Sequence, residues 1–122
     1  MRIRPLFLAL GAAWTALAGA QTPVDYAVLI ISRERLELPN ACDVGLYLQD
    51  QLAARLVQGE AVSFNLPPGP LSIRLGTLGA GPCKPGIEQQ MRQDLQLQAG
   101  QIRKYRLAQG TQGLYLIETP NP

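Results

Sequence analysis

Hydrophobic residues recur at every second position through most of the chain after residue 20. Val62, Phe64 and Leu66 alternate with Ser63 and Asn65, and Leu71, Ile73 and Leu75 alternate with Ser72 and Arg74. A period of two places each apolar row on one face of an extended strand. Pro67-Pro68-Gly69-Pro70 lies between the two rows. Prolines lack the ladder N–H and belong in a connection, so the pattern predicts a β-hairpin with one apolar and one polar face. Residues 24–32 (VDYAVLIIS) form a β-branched run of strand length, apolar enough for the centre of a sheet.

The remaining segments are short. Arg33-Glu34-Arg35 exposes charge before Leu36 and Leu38, a brief alternating piece ended by Pro39-Asn40, and Val44, Leu46 and Leu48 mark a half-buried strand. Gln49-Asp50-Gln51 reads as a tight reversal. The return through Leu52 to Val57 is good helix material, but its brevity and the Gln58-Gly59 stop favour a hairpin strand. The stretch from Gly79 to Gly86 is a loop, Leu95 and Leu97 are in strand phase, and residues 102–107 and 114–119 are strands separated by a GTQG turn. About seven short strands with Gly/Pro turns predict an all-β fold, a sandwich or small barrel, and because each strand offers one apolar face two sheets must pack, as in a small antiparallel β-sandwich of immunoglobulin-like type. The expected inner set is Val28, Ile30, Leu46, Leu48, Val62, Phe64, Leu66, Leu71, Ile73, Leu75, Leu95, Leu97, Tyr105, Leu107, Leu114 and Leu116.

Residues 1–20 break this rhythm and read as a secretory signal peptide. Arg2 and Arg4 supply the positive start, Leu6 to Leu17 an uncharged apolar run, and Ala18-Gly19-Ala20 a small-residue cleavage site before Gln21. The apolar run is short for a membrane span, and no second one follows. Leu17-Ala18-Gly19 looks like the start of a bacterial lipoprotein box, but Ala20 stands where the lipidated cysteine must be, so no lipid anchor is expected there. The mature chain, residues 21–122, is expected to be a single domain, periplasmic or secreted.

Charge and composition narrow the function. The 11 basic residues include Arg2 and Arg4, so the mature chain balances its 9 acidic residues and carries no electrostatic footprint for nucleic acid. Cys42 and Cys83 are the only cysteines, and an even count in an exported chain predicts a disulfide. Closing a loop of about 41 residues is worth ~4 kcal/mol in the chain-entropy model. There is no histidine, which removes Ser-His-Asp and Cys-His catalysis and His-ligated zinc. No cofactor, metal or catalytic residue is predicted, and the chain is not expected to be an enzyme.

Val44 to Leu75 (VGLYLQDQLAARLVQGEAVSFNLPPGPLSIRL) resembles bacterial-envelope β-sandwich modules of the PEGA type and transthyretin-like lipoproteins of unknown function. The shared rhythm is a strand, a tight turn, a second strand, and a strand ending in a proline-glycine turn, here Leu66-Pro67-Pro68-Gly69. Leu97-Gln98-Ala99-Gly100-Gln101 before Tyr105-Arg106-Leu107 is similar to the C-terminal strands of the lipoprotein group. The resemblance covers about half of the mature chain. It departs in lacking a glycine at Gln49-Asp50-Gln51, in lacking the lipidated cysteine, and in having a cysteine pair. It implies a transthyretin-like sandwich that serves as a binding or structural module.

Glu34, Glu37, Asp43 and Asp50 are scattered near turns without a motif and read as solvated surface; a glycosidase would need two converging carboxyls. Arg103, Lys104 and Arg106 form the one basic cluster, with Lys104 and Arg106 on one strand face and Arg103 on the other. Tyr47 and Tyr115 are out of phase with the inward leucines. These five are the candidate surface for a cell-envelope protein partner, through a sheet face or an edge strand. The alternative is a glycan- or small-ligand-binding module using the loop from Gly79 to Gly86.

Overall fold

The computed structural model describes residues 24–35, 37–84 and 92–120. The expected signal peptide and its cleavage site fall outside the described residues. Eight strands lie within them: β1 (Ala27–Ser32), β2 (Asp43–Leu48), β3 (Gln51–Leu56), β4 (Ala61–Leu66), β5 (Gly69–Leu78), β6 (Arg92–Leu97), β7 (Ile102–Gly110) and β8 (Gly113–Thr119). They form two four-stranded sheets, ordered β4-β1-β7-β8 and β3-β2-β5-β6. The fold is the all-β sandwich expected, with eight strands among the described residues where the pattern predicts about seven. One pairing is not antiparallel: β1 runs parallel to β7, with Val28 opposite Ile102 and Ser32 opposite Arg106.

Each sheet turns one row of apolar side chains inward, and the two rows make a single core. Leu29, Ile31, Val44, Leu46, Leu56, Ile73, Leu75, Leu97, Leu107, Leu114 and Leu116 are buried there, with Tyr105. Two expectations need correcting. The inward row of β1 is Ala27, Leu29 and Ile31, and Val28 and Ile30 are only half-buried on the other face. β1 is apolar at nearly every position, so alternation could not set its phase. β4 and β5 do not form a hairpin: β4 pairs with β1 in one sheet, and β5 with β2 and β6 in the other. The Pro67-Pro68 connection carries the chain across the sandwich, and both rows still face the same core.

The Gln49-Asp50 reversal is a two-residue turn in which both residues have positive φ, 52° and 65°. That backbone suits the twist of a hairpin and normally draws Asn-Gly. The return is strand β3, not a helix. Leu38 is buried, but the segment around it is not a strand, and Leu36 lies outside the described residues. The disulfide between Cys42 and Cys83 is formed, with Cα atoms 5.4 Å apart. It ties the start of β2 to the 3₁₀ turn Gly81–Cys83 that follows β5.

Candidate protein-binding surface

The outer face of the β4-β1-β7-β8 sheet follows from the pairing register. Lys104 stands between Ile30 of β1 and Thr119 of β8, and Arg106 between Ser32 and Ile117. Tyr115 lies opposite Ala108 one row further on. Arg106 pairs with Glu37 at 3.3 Å, while no carboxylate pairs with Lys104 among the described residues. Val28 and Ile102 continue the face to a recess of about 170 Å³ lined by Val24, Tyr26, Val28, Gly100, Gln101 and Ile102. Val24, Tyr26 and Ile102 are 49%, 41% and 48% exposed. Two cations are thus set among β-branched and aromatic side chains.

Arg103 does not join them. It shares the inward phase of Tyr105 and Leu107 and sits at the open end of the sandwich, between the sheets. Its Nε donates to Glu118 Oε2 at 2.6 Å and its Nη2 to Glu118 Oε1 at 3.1 Å. Nη2 also donates to the Tyr105 hydroxyl, and Nη1 to the Gln96 carbonyl of β6 at 3.3 Å. The hydrogen-bonded Glu118 carboxylate raises the pKa of Arg103, and Arg103 in turn holds Glu118 below the usual carboxylate range. Burial pushes the Tyr105 phenol up, so its hydroxyl stays protonated.

Tyr47 is also separated from the basic face, because β2 belongs to the other sheet. Its ring lies 4.0 Å from the Arg74 guanidinium, a cation–π contact. Asp50 at the hairpin tip receives Arg92 at 3.0 Å and Arg74 at 3.6 Å, and Asp43 receives Arg55 at 2.7 Å. This second outer face is crossed by its own ion pairs. A shallow recess of about 380 Å³ on it is lined by Gln49, Pro70, Leu71, Ser72 and Asp94. Of the five expected surface residues, Lys104, Arg106 and Tyr115 therefore share one face, and Tyr47 and Arg103 do not.

The acidic residues do not converge. Asp43, Asp50 and Glu37 each meet an arginine on a different part of the surface. Among the described residues, no group of three or more His, Cys, Asp or Glu could hold a metal ion, and no helix is long and apolar enough to cross a membrane. The described part of the loop from Gly79 to Gly86 is pinned by the disulfide, and neither recess is lined by it.

An edge strand is the other expected binding surface, though the sequence does not say which strands lie at an edge, and the edges differ. On the β6/β8 side, the Gln93 side-chain amide stands in for a strand: its Oε1 accepts from Leu116 N–H at 2.7 Å and its Nε2 donates to Leu116 C=O at 3.3 Å. With the Arg103–Gln96 bond, this stitches that side shut. On the β3/β4 side the Arg33 side chain reaches the Leu56 carbonyl of β3 at 2.9 Å, but among the hydrogen bonds of the described residues no side chain pairs with the backbone of β4. β3 is irregular, since Leu46 opposes Ala54 and Tyr47 opposes Leu52, leaving Ala53 unmatched. β4 is regular along its whole length.

The fold and surface define a disulfide-stapled two-sheet sandwich with one basic-apolar outer face. No protein-family model matches the chain, and no curated protein does. The resemblance to PEGA-type modules thus has no family match behind it. Among solved structures, the chain is similar to the T6SS lipoprotein TssJ1 from Pseudomonas aeruginosa, with 14% sequence identity and a TM-score of 0.47. The similarity covers 82% of this chain and 100% of that one.

Proposed function

We propose that this protein is an exported, non-enzymatic β-sandwich that binds another cell-envelope protein through the outer face of its β4-β1-β7-β8 sheet. The observation that carries this reading is the grouping of Lys104, Arg106 and Tyr115 with Ile30, Ile102 and Ile117 on one face. Cations set in apolar surface suit an acidic partner that also presents aliphatic or aromatic side chains. Export is supported by the signal-like residues 1–20 and by a disulfide, which persists in oxidising compartments.

The test is site-specific photo-crosslinking in the native envelope. A crosslinker at Thr119, on the basic face, is expected to capture one partner. Lys104→Glu with Arg106→Glu is expected to weaken that capture about tenfold or more while leaving the circular dichroism spectrum unchanged. Equal capture from Asp94 on the opposite sheet, or indifference to the charge reversal, would sink the reading.

A further inference from the structure

We infer that β4 is a self-pairing edge, and that two copies of this chain join there in an antiparallel, two-fold arrangement. The argument begins with the direction of the backbone groups. Val28 N–H donates to Gln101 C=O on the β7 side, and Arg33 N–H donates to Glu60 C=O on the β4 side. Alternation then aims Leu29 and Ile31 at β4, where they oppose Phe64 and Val62. The backbone groups of Ala61, Ser63 and Asn65 consequently point away from the sheet.

Edges of this kind invite another strand unless something blunts them. β3 carries Arg55 and the irregularity at Ala53, and β6 carries Arg92 and Asp94. β8 carries Glu118 and the Gln93 stitch. β4, sequence AVSFNL, has no charge, no proline and no register shift. It alone among the described edge strands lacks every one of these devices.

The strand is also complementary to itself. A two-fold axis at Ser63 sets Ser63 against its own copy and Ala61 against Asn65, and each of these residues then exchanges both backbone groups with the other chain. The outer-face side chains that meet are small and uncharged. On the inner face Val62 meets Phe64 of the second copy. Both are half-buried at the margin of the core, so the added strand covers apolar surface that one chain leaves partly wet. A foreign strand could take the same edge, but self-pairing needs nothing beyond what the chain already presents. The dimer would make one continuous eight-stranded sheet with two basic-apolar faces on the same side, and it does not depend on what those faces bind.

Sedimentation velocity of the mature, disulfide-bonded protein tests this across a dilution series from micromolar to submillimolar. The expected result is a concentration-dependent approach to twice the monomer mass. Ser63→Lys places two lysines directly opposite each other and is expected to weaken association about tenfold or more, whereas Gln112→Lys, in the β7–β8 turn, leaves it unchanged. Asn65→Lys serves in place of Ser63→Lys should that variant lose its circular dichroism spectrum. A wild-type chain that is monomeric at every concentration overturns the inference, including the case in which β4 takes only a foreign strand. A dimer that persists in the folded lysine variant overturns it equally.

Discussion

The residue that departs furthest from expectation is Arg33. In the sequence it opens a charged triplet, Arg33-Glu34-Arg35, that reads as solvent-exposed. In the fold it is 1% exposed, while Arg35 remains outside. Its Nη1 donates to the carbonyls of Cys42 at 2.6 Å and Leu56 at 2.9 Å, and its Nη2 to that of Asn40 at 3.2 Å. Burial pulls its pKa below the usual guanidinium value, with Asp43 opposing the shift, and Nε finds no partner among the described residues. The position follows from β1: Leu29, Ile31 and Arg33 share one phase, so the strand's inward row ends in an arginine. Arg33 and Arg35 share that phase, so alternation alone cannot tell them apart; they differ because the strand ends at Ser32 and the chain turns at Arg35. Arg33→Met should cost about 3 kcal/mol in urea denaturation, because the Cys42 and Leu56 carbonyls would each lose the buried guanidinium donor. Arg33→Lys should recover part of the loss.

Strands were more legible than their partners. The alternation at Val62, Phe64, Leu66 and at Leu71, Ile73, Leu75 gave the correct phase, because every inward side chain faces the same core whichever sheet it belongs to. It could not say which sheet. Adjacency across a short turn suggested a hairpin, and the proline pair instead carries the chain between layers. The same limit explains Tyr47 and Tyr115, each predicted outward but on opposite sides of the molecule. Gln93 was invisible for another reason: a polar residue in a mixed segment carries no sign that its amide will pair with a backbone brought from residue 116. Gln93→Leu leaves the N–H and C=O of Leu116 without that pairing and should cost about 1–2 kcal/mol. Hydrogen exchange should report the change locally, as faster exchange of the Leu116 amide, with the core strands β1 and β7 little affected.

For the whole molecule, the cysteine pairing was readable because only two cysteines exist, but the place of the bond was not. It joins the ends of adjacent strands in one sheet, close to where Asp43 opposes Leu78. The link therefore constrains the segment between them more than it holds the two layers together. Reduction removes a constraint of about 4 kcal/mol and should lower Tm by roughly 15 °C or more in a thermal melt, with a β-type spectrum retained below the transition. A melt that does not move on reduction would mean that the core alone sets the stability.

The parallel pairing of β1 with β7 bears on how the chain reaches this state. β1 sits at the centre of its sheet, yet its two neighbours, β4 and β7, both lie downstream across long stretches of chain. A chain emerging N-terminus first carries its most apolar strand exposed until the sequence around Ile102 has followed. Contacts so distant in sequence slow folding, because loop-closure entropy is lost before the pairing repays it. The sandwich is therefore assembled late, after nearly the whole chain is available, and β1 spends that interval as the segment most in need of a chaperone.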